Sequence, residues 1–98
     1  MKLKWTSRAH EQLYEIIEYI AKDSKKNAGE IFDRIHSSAL KLVDFPEMGA
    51  HPHDERLLRS GYRMLVVEKF LILYMIDGDT VVIMGVVHGA QQYEHLFK

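Results

Sequence analysis

The chain contains no cysteine. A disulfide framework and thiolate chemistry are therefore excluded. It also lacks an excess of charge of either sign: 13 Lys and Arg stand against 14 Asp and Glu, for a formal net charge of −1. A protein that held nucleic acid by its overall field would be strongly basic, so any such role must rest on a local cluster. Long hydrophobic runs are missing too, because charges interrupt the apolar stretches every few residues, and no membrane span is expected. The opening "MKLKWTSRAHEQ" offers neither an apolar run nor a small-residue cleavage site, so no signal peptide is expected and a cytoplasmic protein is the economical reading. No glycine-rich phosphate loop, G-x-S-x-G elbow or metalloprotease motif occurs.

What remains is the composition of an ordinary globular chain, with 47% hydrophobic and 28% charged residues. Ninety-eight residues fit one domain, 1–98, large enough to bury ~60–68% of its unfolded surface. After a short edge strand in "KLKW", Ala9, Leu13, Ile16, Ile17 and Ile20 recur at helical spacing, with Ser7 as the expected N-cap. A polar break, "KDSKKN", precedes a second stripe of Ala28, Ile31, Phe32, Ile35, Ala39, Leu42 and Val43, closed by Pro46 and Gly49. Two such helices should form an antiparallel hairpin.

Beyond "PEMGAHPHDE" the texture becomes β-branched and aromatic. "RLLR", "YRMLVV", "FLILYMI" and "TVVIMGVVH" read as strands, with a hairpin at "DGD" (77–79) and a weaker turn at "EK" (68–69). The expected fold is α+β: a short N-terminal strand and a helical hairpin packed on a three- to four-stranded antiparallel sheet. The strands are apolar on both faces, so something beyond the hairpin should cover part of the second face.

Three groups of residues could carry chemistry. Arg59 and Arg63, with Tyr62 beside the second, could clamp an anion bidentately; equally, they could pair with Asp54, Glu55 or Glu68 at a strand end. His88, at the end of the last strand, could serve as a general acid or base, or could cap that strand through a satisfied hydrogen bond. His51, His53 and Asp54 invite a metal reading, but a proline-bearing loop without a second cluster reads better as loop histidines, and no metal or other cofactor is expected.

Taken together, "W-T-S-x-A-x-x-x-L-x-x-I-x-x-Y-I" (5–20), "L-x-x-F-P-E-M-G" (42–49), "R-x-L-x-S-G-Y-R-M-L" (56–65) and "LYMIDGDTVVIMGVVHGAQQY" (73–93) resemble the RelE/ParE superfamily of bacterial toxins nearly end to end. The resemblance implies a growth-arresting toxin of a type II toxin–antitoxin, plasmid-stabilisation type of system. It would be neutralised by a cognate antitoxin in a heterotetramer or larger complex. It leaves two targets: DNA gyrase, poisoned by binding, or messenger RNA cleaved on the ribosome. A third outcome is a degenerate member that keeps only antitoxin binding.

Metal-free RNA cleavage needs a base for the 2′-hydroxyl, cations for the developing charge and an acid for the leaving oxygen. On that mechanism the resemblance gives Arg59 and Arg63 to the phosphate, His88 to the end of the last strand, and Tyr93 to base stacking or proton transfer. Arg56, Tyr62, Gln92 and Lys98 are the accompanying binding candidates. Two departures favour the gyrase-directed, ParE-like branch. "HGAQQ" holds alanine and glutamines where cleaving relatives carry arginines, and the net charge is near neutral.

Overall fold

In the computed structural model, which describes residues 1–89, the element order is β1 (Lys2–Trp5), α1 (Ser7–Ala21), α2 (Lys25–Asp44), α3 (Glu55–Arg59), β2 (Arg63–Val67), β3 (Phe70–Asp77) and β4 (Thr80–His88). No helix among the described residues is long and apolar enough to cross a membrane.

Each helix begins where a short polar side chain can take a free backbone N–H. Thr6, rather than Ser7, caps α1: the chain leaves β1 still extended at Thr6, and its Oγ1 accepts from the Ala9 N–H at 3.0 Å. Ser24 caps α2 through the Asn27 N–H at 3.1 Å. The expected "RLLR" strand is instead the helix α3. Asp54 accepts from two N–H groups, those of Arg56 and Leu57, and this cap nucleates a helical turn that buries Leu57.

The sheet runs in the order β1-β4-β3-β2. β2, β3 and β4 are antiparallel, as expected, but β1 lies parallel to β4, from Lys2↔Thr80 to Trp5↔Ile83, so the sheet is mixed. The first strand does not meet its neighbour through a hairpin. It comes to the one β4 edge left open by β3, in the direction that lets α1 fold back over the sheet. The β3–β4 turn also differs in detail. Its two loop residues are Gly78 and Asp79, and Gly78 rather than Asp77 takes the positive φ, +60°. In the β2–β3 turn Glu68 adopts φ +55° without being glycine. Its carboxylate is tied to Arg34 of α2 at 2.5 Å.

One face of the sheet carries the helical hairpin. Ala9 and Leu13 of α1 and Ile31, Ile35, Ala39 and Leu42 of α2 pack on Phe70, Ile72, Tyr74, Val81, Ile83 and Val86. Fully burying a side chain such as Ile35 or Leu42 contributes about 1.5–3 kcal/mol, and the alanines let the helices approach the strands closely. On the opposite face Leu73 and Val87 are buried as well, while Val66 stays exposed.

β4 carries a bulge. Leu73 pairs with Gly85 and Tyr74 with Ile83, leaving Met84 over. α1 is fastened there, because the Val86 N–H donates to Gln12 Oε1 at 2.9 Å. A Cβ on Gly85 would stand 2.9 Å from that oxygen, so a side chain here would push the Gln12 carboxamide off its seat.

The Asp54 cap makes α3 sensitive to acid. Its carboxyl is held below the ordinary value first by the Leu57 N–H and then by Arg56, both of which favour the ionised form. A lowered pKa gives stability that is complete above the ordinary carboxylate range and is lost as pH falls through the lowered value. Amide exchange across 55–59 should therefore accelerate relative to α2 in acid, and Asp54→Asn, which caps without titrating, should abolish that step. Exchange that keeps the same pH dependence in the variant would refute the assignment.

Candidate functional site

Two places concentrate polar groups against apolar surface, and they lie toward opposite ends of β3. The first is a groove of 690 Å³ between α1, the start of α2 and the sheet end formed by the β2–β3 turn and the last residues of β4. Ile16, Ile20, Ile31, Phe70, Val86 and Val87 supply its apolar lining; Gln12, Glu15, Tyr19, Asn27, Glu68, Lys69 and His88 supply the polar one. The periodicity of α1 turns Ile16 and Ile20 toward the sheet, and this leaves Glu15 and Tyr19 beside the opening. Arg34 and Glu68 bind the turn to α2 and so hold that wall in place. His88 pairs with Phe70 across the ladder and rests edge-on against its ring, with centroids 5.5 Å apart. One step beyond this pair the Gly89 N–H donates to the Lys69 carbonyl at 2.7 Å, carrying the ladder up to the β2–β3 turn.

The second place is the exit of α2. Tyr74 is fully buried, and its hydroxyl accepts from the Gly49 N–H at 2.9 Å and donates to the Pro46 carbonyl at 2.8 Å. Arg63 lies opposite Tyr74 in the ladder and donates from one guanidinium nitrogen to the carbonyls of Gly49 (2.8 Å) and Glu47 (3.3 Å). Burial pushes the Tyr74 phenol above its ordinary pKa, outweighing the Gly49 N–H and Arg63, so it keeps the proton it donates to Pro46. A bridge between Ala50 and Met64 completes the knot.

The remaining arginines are held elsewhere. Arg59 pairs with Glu55 at 2.6 Å, one helical turn back, and Arg56 pairs with Asp54 at 3.5 Å; both guanidiniums are exposed. Tyr62 is partly withdrawn from water, which raises its pKa, and Arg8 acts in the opposite direction. A cluster of three or more metal-ligating side chains does not occur among the described residues, and His51 and His53 are loop residues.

The family profile described as "ParE toxin of type II toxin-antitoxin system, parDE" matches residues 3–93. The chain belongs to that family. It is also 32% identical over 92 residues to a protein of Sinorhizobium fredii described as "Putative toxin Y4kP", covering 94% of this chain and 92% of the relative. Among solved structures, one described as the chromosomal ParDE TA system from P. aeruginosa superposes with a TM-score of 0.74. The match has 24% identity and covers 90% of this chain and 95% of that one, which establishes likeness of fold.

Within this ParE-family chain the candidate residues are not gathered at one point. Arg63 stands opposite Tyr74 and His88 opposite Phe70, four residues apart along β3 and two strand spacings apart across the sheet. Those steps put them roughly 16 Å apart. Arg59 belongs to α3 and pairs with Glu55, whereas Arg63 is bound to the carbonyls of Glu47 and Gly49. Tyr93, Gln92 and Lys98 lie outside the described residues. Gln12, Glu15 and Tyr19 of α1 and Glu68 of the β2–β3 turn are not legible as one groove in the sequence, because no local pattern brings α1 to that turn. The one available signal was the polar side chain of Gln12 on a helix that packs against a sheet.

The knot at α2 is directly testable. Tyr74→Phe leaves the Gly49 N–H and Pro46 carbonyl without their partner and should destabilise the fold by about 1–3 kcal/mol. Gly49→Ala places a Cβ 2.5 Å from the Tyr74 hydroxyl and 2.7 Å from the Met64 carbonyl, and should cost at least as much. Denaturant unfolding measures both. A Tyr74→Phe variant as stable as the parent would show that the phenol hydroxyl does not hold the loop.

Proposed function

We propose that this chain is the toxin of a type II toxin–antitoxin pair, that it arrests growth by binding DNA gyrase in the cytoplasm, and that its cognate antitoxin silences it. The observation that carries the binding mode over RNA cleavage is the spacing of the candidate residues. The backbones of Arg63 and His88 stand roughly 16 Å apart by their strand steps, and the Arg63 guanidinium is engaged by the carbonyls of Glu47 and Gly49 at the Tyr74 end of β3, which disfavours one scissile phosphate held by both. A base and a cation that share a transition state must both stand within hydrogen-bond reach of it. The near-neutral charge supports the same reading, since nothing in the overall field draws RNA.

For the antitoxin, the groove beside α1 is the best seat among the described residues. It is concave and largely apolar, and polar groups border it, including a carboxylate from Glu15 on one wall and an ammonium from Lys69 on the other. An amphipathic segment laid between α1 and the β2–β3 turn would cover Ile16 and Ile20 and exchange water for apolar contacts.

Induction in bacteria, read by plasmid supercoiling and by mapping messenger RNA ends, tests the function. Loss of negative supercoiling with intact messages is the expected result; specific cuts within translated codons would replace this reading with the nuclease. A second experiment addresses the seat. Ile16→Arg should retain toxicity while weakening capture by co-expressed antitoxin on the order of 30-fold, as loss of a central apolar anchor does. Undiminished capture would move the antitoxin to another surface.

A further inference from the structure

The β2–β3 turn is built from residues that do not suit it. Only Glu68 and Lys69 separate Val67 from Phe70, which pair across the ladder and are both buried. A connection this short demands positive φ, and Gly, Asn or Asp ordinarily supplies it. Here Glu68 takes φ +55°, in the left-handed region that a Cβ disfavours. The turn is held from two sides. The Gly89 N–H donates to the Lys69 carbonyl at 2.7 Å, and Arg34 of α2 donates to the Glu68 carboxylate at 2.5 Å. Glycine at 68 would relieve the backbone but would leave Arg34 nothing to hold. The ion pair itself is open to water, with side chains 54% and 40% exposed, so it contributes little to stability. Backbone strain without a return in stability collects where geometry serves a site. Glu68 and Lys69 line the groove beside α1, and Arg34 stands behind them, outside its lining.

We infer that the Arg34–Glu68 pair is a latch that sets this wall of the groove, and that both are positioning residues for the partner seated there. Latched, the turn presents Lys69 and Phe70 across the groove from Ile16 and Ile20 of α1. An incoming segment then meets a preformed seat, and little loop entropy is lost on binding. Unlatched, the turn is free to leave the left-handed conformation, and binding must first rebuild the wall. The latch depends on the antitoxin seat described above and deepens it: Arg34, outside the groove, governs how tightly the groove is filled.

Variants of the full chain are compared by thermal unfolding, by amide exchange at Gly89, and by capture with co-expressed cognate antitoxin. Arg34→Ala should speed Gly89 exchange and weaken capture on the order of 10-fold, with the unfolding temperature nearly unchanged. Glu68→Gly should unfold no earlier than the wild type yet be captured as weakly as Arg34→Ala, which a role in stability alone would not produce. The charge-swapped Arg34→Glu/Glu68→Arg chain should recover capture to within about 3-fold of the wild type. A swap that stays as weak as Arg34→Ala overturns the latch, because the antitoxin would then be reading the Glu68 charge itself. So do single variants captured as tightly as the wild type while Ile16→Arg is not. If Ile16→Arg is also captured undiminished, it is the seat that fails, and Gly89 exchange decides the latch. Exchange accelerated in Arg34→Ala and restored in the swap upholds it; exchange unchanged in both overturns it.

Discussion

The burial of the Tyr74 side chain is the constraint on which the rest of this structure depends. A phenol placed in the centre of a sheet must satisfy its hydroxyl, because a buried polar group without a partner costs about 1–3 kcal/mol. Here the hydroxyl reaches the chain leaving α2 and takes up one N–H and one carbonyl of a turn that would otherwise have neither. That single atom fixes where the long helix ends relative to the strands. It also requires glycine at position 49, since any side chain there would displace it. Arg63 then closes the same turn from the neighbouring strand. Helix, turn and sheet edge form one rigid unit.

The other end of the sheet is organised by different means. Gln12 meets the backbone at the β4 bulge, and Arg34 holds the β2–β3 turn, in which Glu68 accepts a conformation that glycine would take more easily. Exposed ion pairs contribute little to stability. The value of this one is geometric, because it sets the wall of the groove against α2. A third device joins the hairpin to the first strand. Trp5 stacks with His10 of α1 and His36 of α2, at 5.5 and 6.0 Å between centroids, and Tyr14 and Phe32 extend the row on either side. The parallel edge strand is thereby bound to both helices by side chains as well as to β4 by its ladder.

Much of this was legible in the sequence. The spacing of Ala9, Leu13 and Ile16, and of Ala28, Ile31, Ile35 and Leu42, specifies two amphipathic helices, since one apolar face must meet the sheet. The β-branched runs after residue 60 specify strands. The errors have physical causes. "RLLR" carries the leucines of a strand, but the Asp54 cap, two residues before Arg56, decides for helix. Thr6 and Ser7 are both good caps, and only the direction of the chain leaving β1 selects between them. Parallel pairing of β1 joins residues nearly eighty positions apart in sequence, and no local pattern reports it. Arg63 is the clearest lesson about the site. An arginine at the mouth of an apolar strand reads equally well as an anion ligand or as a structural donor, and the decision depends on carbonyls at positions 47 and 49 that no spacing rule connects to it.

That outcome bears on what the family motif means in this chain. A guanidinium has five N–H donors in a planar fork, and two backbone carbonyls occupy only part of it. An anion that met the remainder would do so beside the turn that these carbonyls belong to. There it would meet the exposed carboxylate of Glu47 and would receive no help from His88. The same residue that could stabilise a phosphate elsewhere is therefore placed to stabilise a loop. Motif and role separate when the neighbours change. With "HGAQQ" where cleaving relatives carry arginines and no net positive charge, the chain has the scaffold of its toxin family while Arg34 and Arg63 serve to fasten turns to the fold.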